Sequence, residues 1–190
     1  QELGPEFTAT LDLGANVGLF NNRLNIDATI YNSISTDQIV LVAVPPTTGY
    51  QGKYANIGRM TNKGIELTVG GTPVKTKNFA WNISGNFSRN RNKVTYIAPG
   101  VTSFSFNGTS FSGLIPTVAV GEPFGIIKGS KFVTNAQGQR LVDSTTGLYA
   151  NYVTATVLDP NRDWIAGLTN NFTYKNCSLS VLLDYKRGGQ

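Results

Sequence analysis

Apolar and polar residues alternate along several stretches of this chain with a period of two. Successive side chains of a β-strand point to opposite faces of its sheet, so this period predicts strands that have one apolar and one polar face. The clearest stretch is residues 78–88, where Asn, Ser and Ala fill the positions between apolar residues and a glycine. The residues on the apolar side are Phe79, Trp81, Ile83, Gly85 and Phe87.

The same alternation recurs at five other places. Six strands of roughly ten residues are therefore predicted, a length that suits a strand crossing a bilayer at a tilt. The five further stretches are residues 10–19, 23–31, 65–69, 164–174 and 176–185.

Two kinds of connection join these predicted strands. The links at 20–22, 72–77 and 174–176 are short enough for hairpins, whereas those at about 35–61 and 89–162 are long. If all short links lie at one end, every long link lies at the other, as in an outer-membrane barrel with tight periplasmic turns and extended extracellular loops.

We therefore predict an all-β fold, an antiparallel meander of about six long strands that forms part of a large transmembrane outer-membrane β-barrel. A soluble β-sandwich that serves as a surface binding or adhesion module also alternates in this way, and the sequence leaves that second interpretation open. The predicted hairpins span about 7–34, 62–88 and 163–186.

Composition narrows the range of functions. The 190 residues contain 21 glycines and no histidine, and Cys177 is the single cysteine. Ser-His-Asp and Cys-His catalysis within this chain is therefore excluded, and we expect neither an enzyme nor a metal or other cofactor. The net charge of +5 is the difference between 16 Lys and Arg residues and 11 Asp and Glu residues. The basic residues are spread along the chain, so a nucleic acid is not an expected partner.

Four segments of the chain carry a more specific signal. They are residues 3–40, 56–94, 120–132 and 158–189, and they include NIGRMTNKGIEL, VGEPFGIIKGSKF and LDPNRDWIAGLT. In this order they resemble the C-terminal barrel region of the SusC/RagA family of TonB-linked (TonB-dependent) outer-membrane proteins. The resemblance covers nearly all of residues 1–190, which we expect to be one part of a larger receptor barrel that also has a plug domain.

The resemblance implies a function that the residues alone do not supply. Members of this family import oligosaccharides or peptides across the outer membrane of Bacteroidetes-type bacteria. The inner-membrane TonB complex provides the energy, and a SusD-like surface lipoprotein caps the extracellular mouth. We therefore expect a segment of a nutrient importer that is embedded in outer-membrane lipid, with its wall in the strands and its selectivity in the long loops.

Three groups of residues are the candidates for contact with substrate, plug or partner. Arg59 and Lys63, at the predicted outer rim, suit anionic surface groups or a capping partner. Asp159 and Asp163, by contrast, are predicted to form a turn before a strand. The predicted lumen-facing residues are Arg23, Asn25, Asp27, Glu66, Asn82, Asn86 and Asp184. The loop aromatic residues that could stack on sugar rings or pack against a lipoprotein are Tyr50, Tyr54, Phe104, Phe106, Phe111, Tyr149 and Tyr152.

Overall fold

The computed structural model describes residues 3–43, 46–50, 52–106, 113–150 and 152–189. These residues form twelve strands and one short 3-10 helix at Pro46–Thr48. The strands are β1 (Phe7–Leu19), β2 (Leu24–Thr36), β3 (Ile39–Ala43), β4 (Gly52–Asn56), β5 (Arg59–Lys75), β6 (Phe79–Tyr96), β7 (Ser103–Ser105), β8 (Ile115–Ala119), β9 (Ile126–Phe132), β10 (Tyr152–Leu158), β11 (Arg162–Tyr174) and β12 (Cys177–Gly188).

Six long strands form one antiparallel sheet, which we call the wall. Its strand order is β1-β2-β5-β6-β11-β12, and the predicted fold class is confirmed by this arrangement. The six strands have 12 to 18 residues, more than the ten or so predicted, because β5 and β6 continue to pair beyond the apolar stretch. Backbone pairing needs a neighbouring strand and does not need an apolar face.

The register brings the apolar positions of neighbouring strands onto one face. Residues directly opposite each other in an antiparallel pair share a face, so each row of partners can be followed across the wall. One such row joins Ala28, Leu67, Phe87, Ala166 and Tyr185. Nearly all of the predicted alternation is therefore realised as an apolar face and a polar face of one sheet.

The three short turns lie at one end of the wall. In the first, Phe20, Asn21 and Asn22 have positive φ angles of 53°, 55° and 62°, and in the third Lys175 has a φ of 51°. Asn tolerates this left-handed conformation better than most residues do. In the second, the Thr76 hydroxyl accepts a hydrogen bond from the backbone N–H of Phe79 at 3.0 Å.

The long connections carry their own small sheets at the opposite end. Strands β3 and β4 form a hairpin, and the other sheet has the order β10-β9-β8-β7. Deep burial is concentrated here, where Val94, Ile97 and Val118 are at most 3% exposed and Phe104 and Phe106 pack against them. The wall itself has two largely exposed faces, and among the described residues no helix is long and apolar enough to cross a membrane.

Candidate functional site

A row of polar residues crosses the polar face of the wall. Cross-strand pairing runs from Asp27 through Thr68, Asn86 and Gly167 to Asp184. Three of the predicted lumen-facing residues therefore lie at one level of the sheet, although 157 positions separate the first and last in sequence. Gly167 leaves room for the Asn86 side chain, because a Cβ at position 167 would lie 2.6 Å from the Asn86 side-chain oxygen.

Hydrogen bonds hold both ends of this row. Asn16 donates from Nδ2 to Asp27 Oδ2 at 2.9 Å, and Lys186 Nζ lies 2.8 Å from Asp184 Oδ2. Both partners in the second pair are half exposed, so this contact orients the carboxylate more than it stabilises the fold. Glu66, Asn86 and Asp184 line a shared open cleft of about 350 Å³.

The other three predicted lumen-facing residues lie nearer the short turns. Asn82 accepts a hydrogen bond from the Thr72 hydroxyl at 2.7 Å, and Asn25 donates to the Asn22 carbonyl at 3.3 Å. Arg23 is in the first turn, where its guanidinium donates to the carbonyl oxygens of Thr72 and Pro73, both at 3.3 Å. It therefore braces two turns at the edge of the wall and does not join the polar row.

Asn92 ties the wall to the long connections. Its Oδ1 accepts a hydrogen bond of 2.6 Å from the backbone N–H of Phe124, and its Nδ2 donates to Asn161 Oδ1 at 2.8 Å. Asn161 in turn donates to the Phe124 carbonyl at 3.0 Å and to Asp159 Oδ1 at 2.8 Å. Asp159 acts in turn chemistry here. The role of Asn92 is not visible in the sequence, because Asn is frequent in the chain and these partners lie 32 and 69 positions away.

Two of the predicted loop aromatic residues belong to a cluster on the β9–β10 connection. Tyr149 and Tyr152 lie 5.5 and 4.8 Å from the ring of Phe132, measured between ring centroids. The Arg140 guanidinium covers the Phe132 ring at 4.2 Å. We call Phe132, Arg140, Tyr149 and Tyr152 the loop cluster. Because the two tyrosines are 57% and 62% exposed, their rings are available to a ligand.

The remaining predicted aromatic residues have other surroundings. Phe104 and Phe106 contact each other edge to face at 6.1 Å and pack on the buried core of the connections, so they serve mainly in packing. Tyr50 is exposed in the β3–β4 connection, and Tyr54 is exposed on β4, opposite Leu41 of β3. Phe111 lies outside the described residues.

A turn held by the Asp143 carboxylate precedes Tyr149 of the loop cluster. Asp143 Oδ1 accepts hydrogen bonds from the backbone N–H groups of Thr145 and Thr146, at 2.7 and 3.2 Å. These bonds favour the ionised carboxylate and hold the pKa of Asp143 below its ordinary value. Tyr149 pairs with Val142 in the isolated bridge that closes this turn.

The largest depression described on the wall is apolar, and no cluster of metal-ligating side chains is found in the described part of the chain. It contains no group of three or more His, Cys, Asp or Glu residues arranged to hold a metal ion. A depression of about 510 Å³ lies on the apolar face, where Gly71 and Gly85 leave space between Val69, Ile83 and Leu168. Its lining is almost entirely apolar, unlike that of the polar row.

Comparison with known proteins finds relatives among TonB-dependent receptors. TonB-dependent receptor P3 of Formosa agariphila is 26% identical to 97% of the chain, and the chain covers 21% of that receptor. TonB-dependent receptor SusC of Bacteroides thetaiotaomicron is 30% identical over half of the chain, a match that covers 10% of SusC. The chain thus spans about a fifth of the length of the first of these relatives.

Solved structures show the same fold. A structure of the RagAB peptide transporter superposes on 96% of this chain with a TM-score of 0.77 and 22% identity, and the match covers 21% of the transporter chain. A RagAB peptide importer in an open-open state gives a TM-score of 0.77 over 98% of the chain. The family model described as TonB dependent receptor-like, beta-barrel matches residues 1–178, so this chain belongs to that family of receptor barrels.

Proposed function

We propose that this chain is a segment of an outer-membrane importer that takes up oligosaccharides or peptides and is driven by TonB. In this proposal the apolar face of the wall contacts lipid and the polar face lines the lumen. The row from Asp27 to Asp184 carries the proposal, because it places hydrogen-bonding groups across a face whose reverse side is apolar. Such groups suit contact with a plug domain or with hydroxyl and amide groups of a passing substrate.

The long connections are proposed to lie outside the cell and to select the substrate. Two exposed tyrosines beside an arginine, as in the loop cluster, suit the faces of sugar rings and the planar groups of peptides alike. A SusD-like surface lipoprotein is the proposed cap over this end, and the inner-membrane TonB complex is the proposed source of energy. The protein is proposed to act as a transporter and not as an enzyme.

Uptake by whole cells tests the proposal. We expect deletion of the full-length gene to abolish uptake of either fluorescent oligosaccharides or fluorescent peptides, and expect the loss of TonB to have the same effect. Supplying the two substrate classes separately identifies which of them is carried. Unchanged uptake of both classes in the deletion strain would sink the importer proposal.

Variants of the two faces sharpen this test. Asp184→Ala removes a carboxylate from the polar row, and Leu183→Ala changes the adjacent position on the apolar face. We expect the first to lower uptake and the second to leave it unchanged at equal amounts of receptor in the membrane. If both variants transport like the parent protein, Asp184 has no part in the path. Co-purification of a surface lipoprotein with the full-length receptor tests the proposed cap.

A further inference from the structure

The apolar face carries a group of basic residues near the end where the long connections leave the wall. Lys63 is on β5 and Arg187 is on β12, while β6 contributes Arg89, Arg91 and Lys93. We call these five residues the rim patch. All five are exposed, and the patch spans the four adjacent strands from β5 to β12, about 14 Å at ordinary strand spacing.

The strand register places these cations on the apolar face. Lys63 is directly opposite Arg91, and Arg89 is opposite Ile65, which belongs to the apolar alternation of β5. Arg187 is opposite Trp164 on β11. Like charges at directly opposite positions destabilise a sheet, so the Lys63 and Arg91 pair is unfavourable to the extent that no anion neutralises it. The Asp163 carboxylate pairs with Arg91 and offsets only part of this repulsion.

Acidic residues of the wall are segregated from this patch. Asp12, Asp27, Glu66 and Asp184 occupy polar-face positions of the register. Asp163 is the exception: its Oδ1 lies 2.5 Å from Arg91 Nη2, and its carboxylate also interacts with the charges of Arg89 and Arg187. The five cations of the rim patch and the one carboxylate of Asp163 together carry a formal excess of four positive charges.

Aromatic rings fix the level of the patch relative to the apolar band. Phe87 and Trp164 lie 5.8 Å apart, and Trp164 stacks on Tyr185 at 5.0 Å, in both cases between ring centroids. Rings of this kind mark the boundary between hydrocarbon and headgroups. Arg89 and Arg91 follow Phe87 by two and four positions, roughly 7 and 13 Å along the strand. At a tilt of about 45° this is a height of about 5 and 9 Å, at and just above the headgroup layer of roughly 5–8 Å.

We propose that the rim patch binds the phosphate groups of a phosphorylated glycolipid in the outer leaflet, while the acyl chains lie along the apolar face below it. An arginine guanidinium can donate two parallel hydrogen bonds to two oxygens of one phosphate. The aromatic rings would pack against the sugar and the upper part of the acyl chains. Binding of phosphate also relieves the repulsion between Lys63 and Arg91. The inference rests on the orientation given under the proposed function, but it does not require that the protein transports anything.

Native mass spectrometry of the full-length receptor tests this inference, with diphosphoryl lipid A in phosphatidylcholine nanodiscs as the probe. The variant Lys63→Gln/Arg89→Gln/Lys93→Gln removes three cations and keeps the Arg91 to Asp163 ion pair. We expect this variant to retain at least about tenfold less lipid A than the parent does, because each basic residue near a membrane surface adds to the attraction of anionic lipid. The matched control, Lys75→Gln/Lys77→Gln/Lys175→Gln, removes three cations near the short turns and is expected to bind like the parent.

Three further arms separate the possible occupants. Lys63→Arg/Lys93→Arg keeps the charge and is expected to bind lipid A normally, which guards against a general folding defect. Dephosphorylated lipid A is expected to bind as weakly to the parent as lipid A binds to the triple variant. The proposal would be overturned if the parent bound free pyrophosphate as well as it binds lipid A. It would also be overturned if the triple variant changed its oligomeric state but bound lipid A like the parent. Because uptake is measured separately, failure of this proposal is distinguishable from failure of the importer proposal.

Discussion

Trp81 donates a hydrogen bond from its indole Nε1 to Oδ1 of Asn170 at 3.2 Å, across neighbouring strands of the wall. Both side chains are on the apolar face, because Asn170 is opposite Ile83 on one side and Val181 on the other. The Trp81 ring also stacks on Phe172 with centroids 5.8 Å apart. The indole thus satisfies the amide oxygen of Asn170 within an otherwise apolar surface.

This pair predicts strong coupling between two substitutions. Trp81→Phe leaves the Asn170 oxygen without its indole donor, and Asn170→Leu leaves the indole without its acceptor, so we expect each to destabilise the full-length barrel by about 1 kcal/mol. The double variant removes both polar groups and is expected to be less destabilised than the sum. Urea unfolding in lipid vesicles measures the three differences. Strictly additive losses would show that the bond contributes nothing.

A second prediction concerns Gly64, which lies beneath the ring of Tyr31. A Cβ at Gly64 would be 2.3 Å from the tyrosine Cζ and Oη, so the ring has to move in Gly64→Ala. We expect it to lose its hydrogen bond to Asn90 Oδ1, now 3.2 Å, and the barrel to lose about 1–2 kcal/mol of stability. Thermal unfolding followed by gel mobility checks this result.

Gly70→Ala is the matched control for Gly64→Ala. Gly70 is on the same strand and the same face, but the nearest atom to its added Cβ is the Ile83 carbonyl oxygen at 3.9 Å. We expect little change in stability from this variant. Equal losses in the two alanine variants would mean that glycine itself, and not the space under Tyr31, determines the result.

The loop cluster predicts a defect in substrate affinity. Tyr149→Ala/Tyr152→Ala removes two exposed rings, and we expect the half-saturating substrate concentration for uptake to rise about three- to tenfold, with the maximum rate less affected. Val153→Ala, at an adjacent exposed position, serves as the control. A receptor that loses maximum rate at unchanged half-saturation would point to a role in folding or assembly instead.

A fourth prediction concerns orientation in the membrane. Ser144→Cys places a thiol in the β9–β10 connection and Lys77→Cys places one in a short turn, each in a Cys177→Ser background because Cys177 is exposed. We expect an impermeant maleimide to label position 144 on intact cells, and to label position 77 only after the outer membrane is permeabilised. Labelling of position 77 alone on intact cells would invert the proposed topology.

Local alternation was enough to predict the wall. When the two faces of a strand have different environments, its residues alternate between apolar and polar along the sequence. It gave the six strands and the short turns, and it brought Asp27, Asn86 and Asp184 onto one face. Asn170 interrupts the pattern of β11, and its partner Trp81 lies 89 positions away, so nothing local indicates that the amide is satisfied.

The small sheets in the long connections could not be predicted in the same way. Their strands are as short as three residues, and β8 buries Thr117 together with Val118 and Ala119, so no alternation identifies its faces. The loop cluster depends on Arg140 reaching Phe132 across a bend, a contact that only the folded backbone creates. Short, irregular elements take their stability from non-local packing that sequence patterns do not record.

Val94 belongs to the wall and to the core of the long connections at the same time. It is near the end of β6, its side chain is buried with Ile97 and Val118, and its backbone N–H and carbonyl pair with Glu122 and Gly121 at 3.0 and 2.8 Å. A displacement of the β8–β9 connection would therefore pull directly on β6, the strand that carries Asn86. In the proposed importer, movement of the long connections on substrate binding would strain this strand, which would link those connections mechanically to the proposed lumen face.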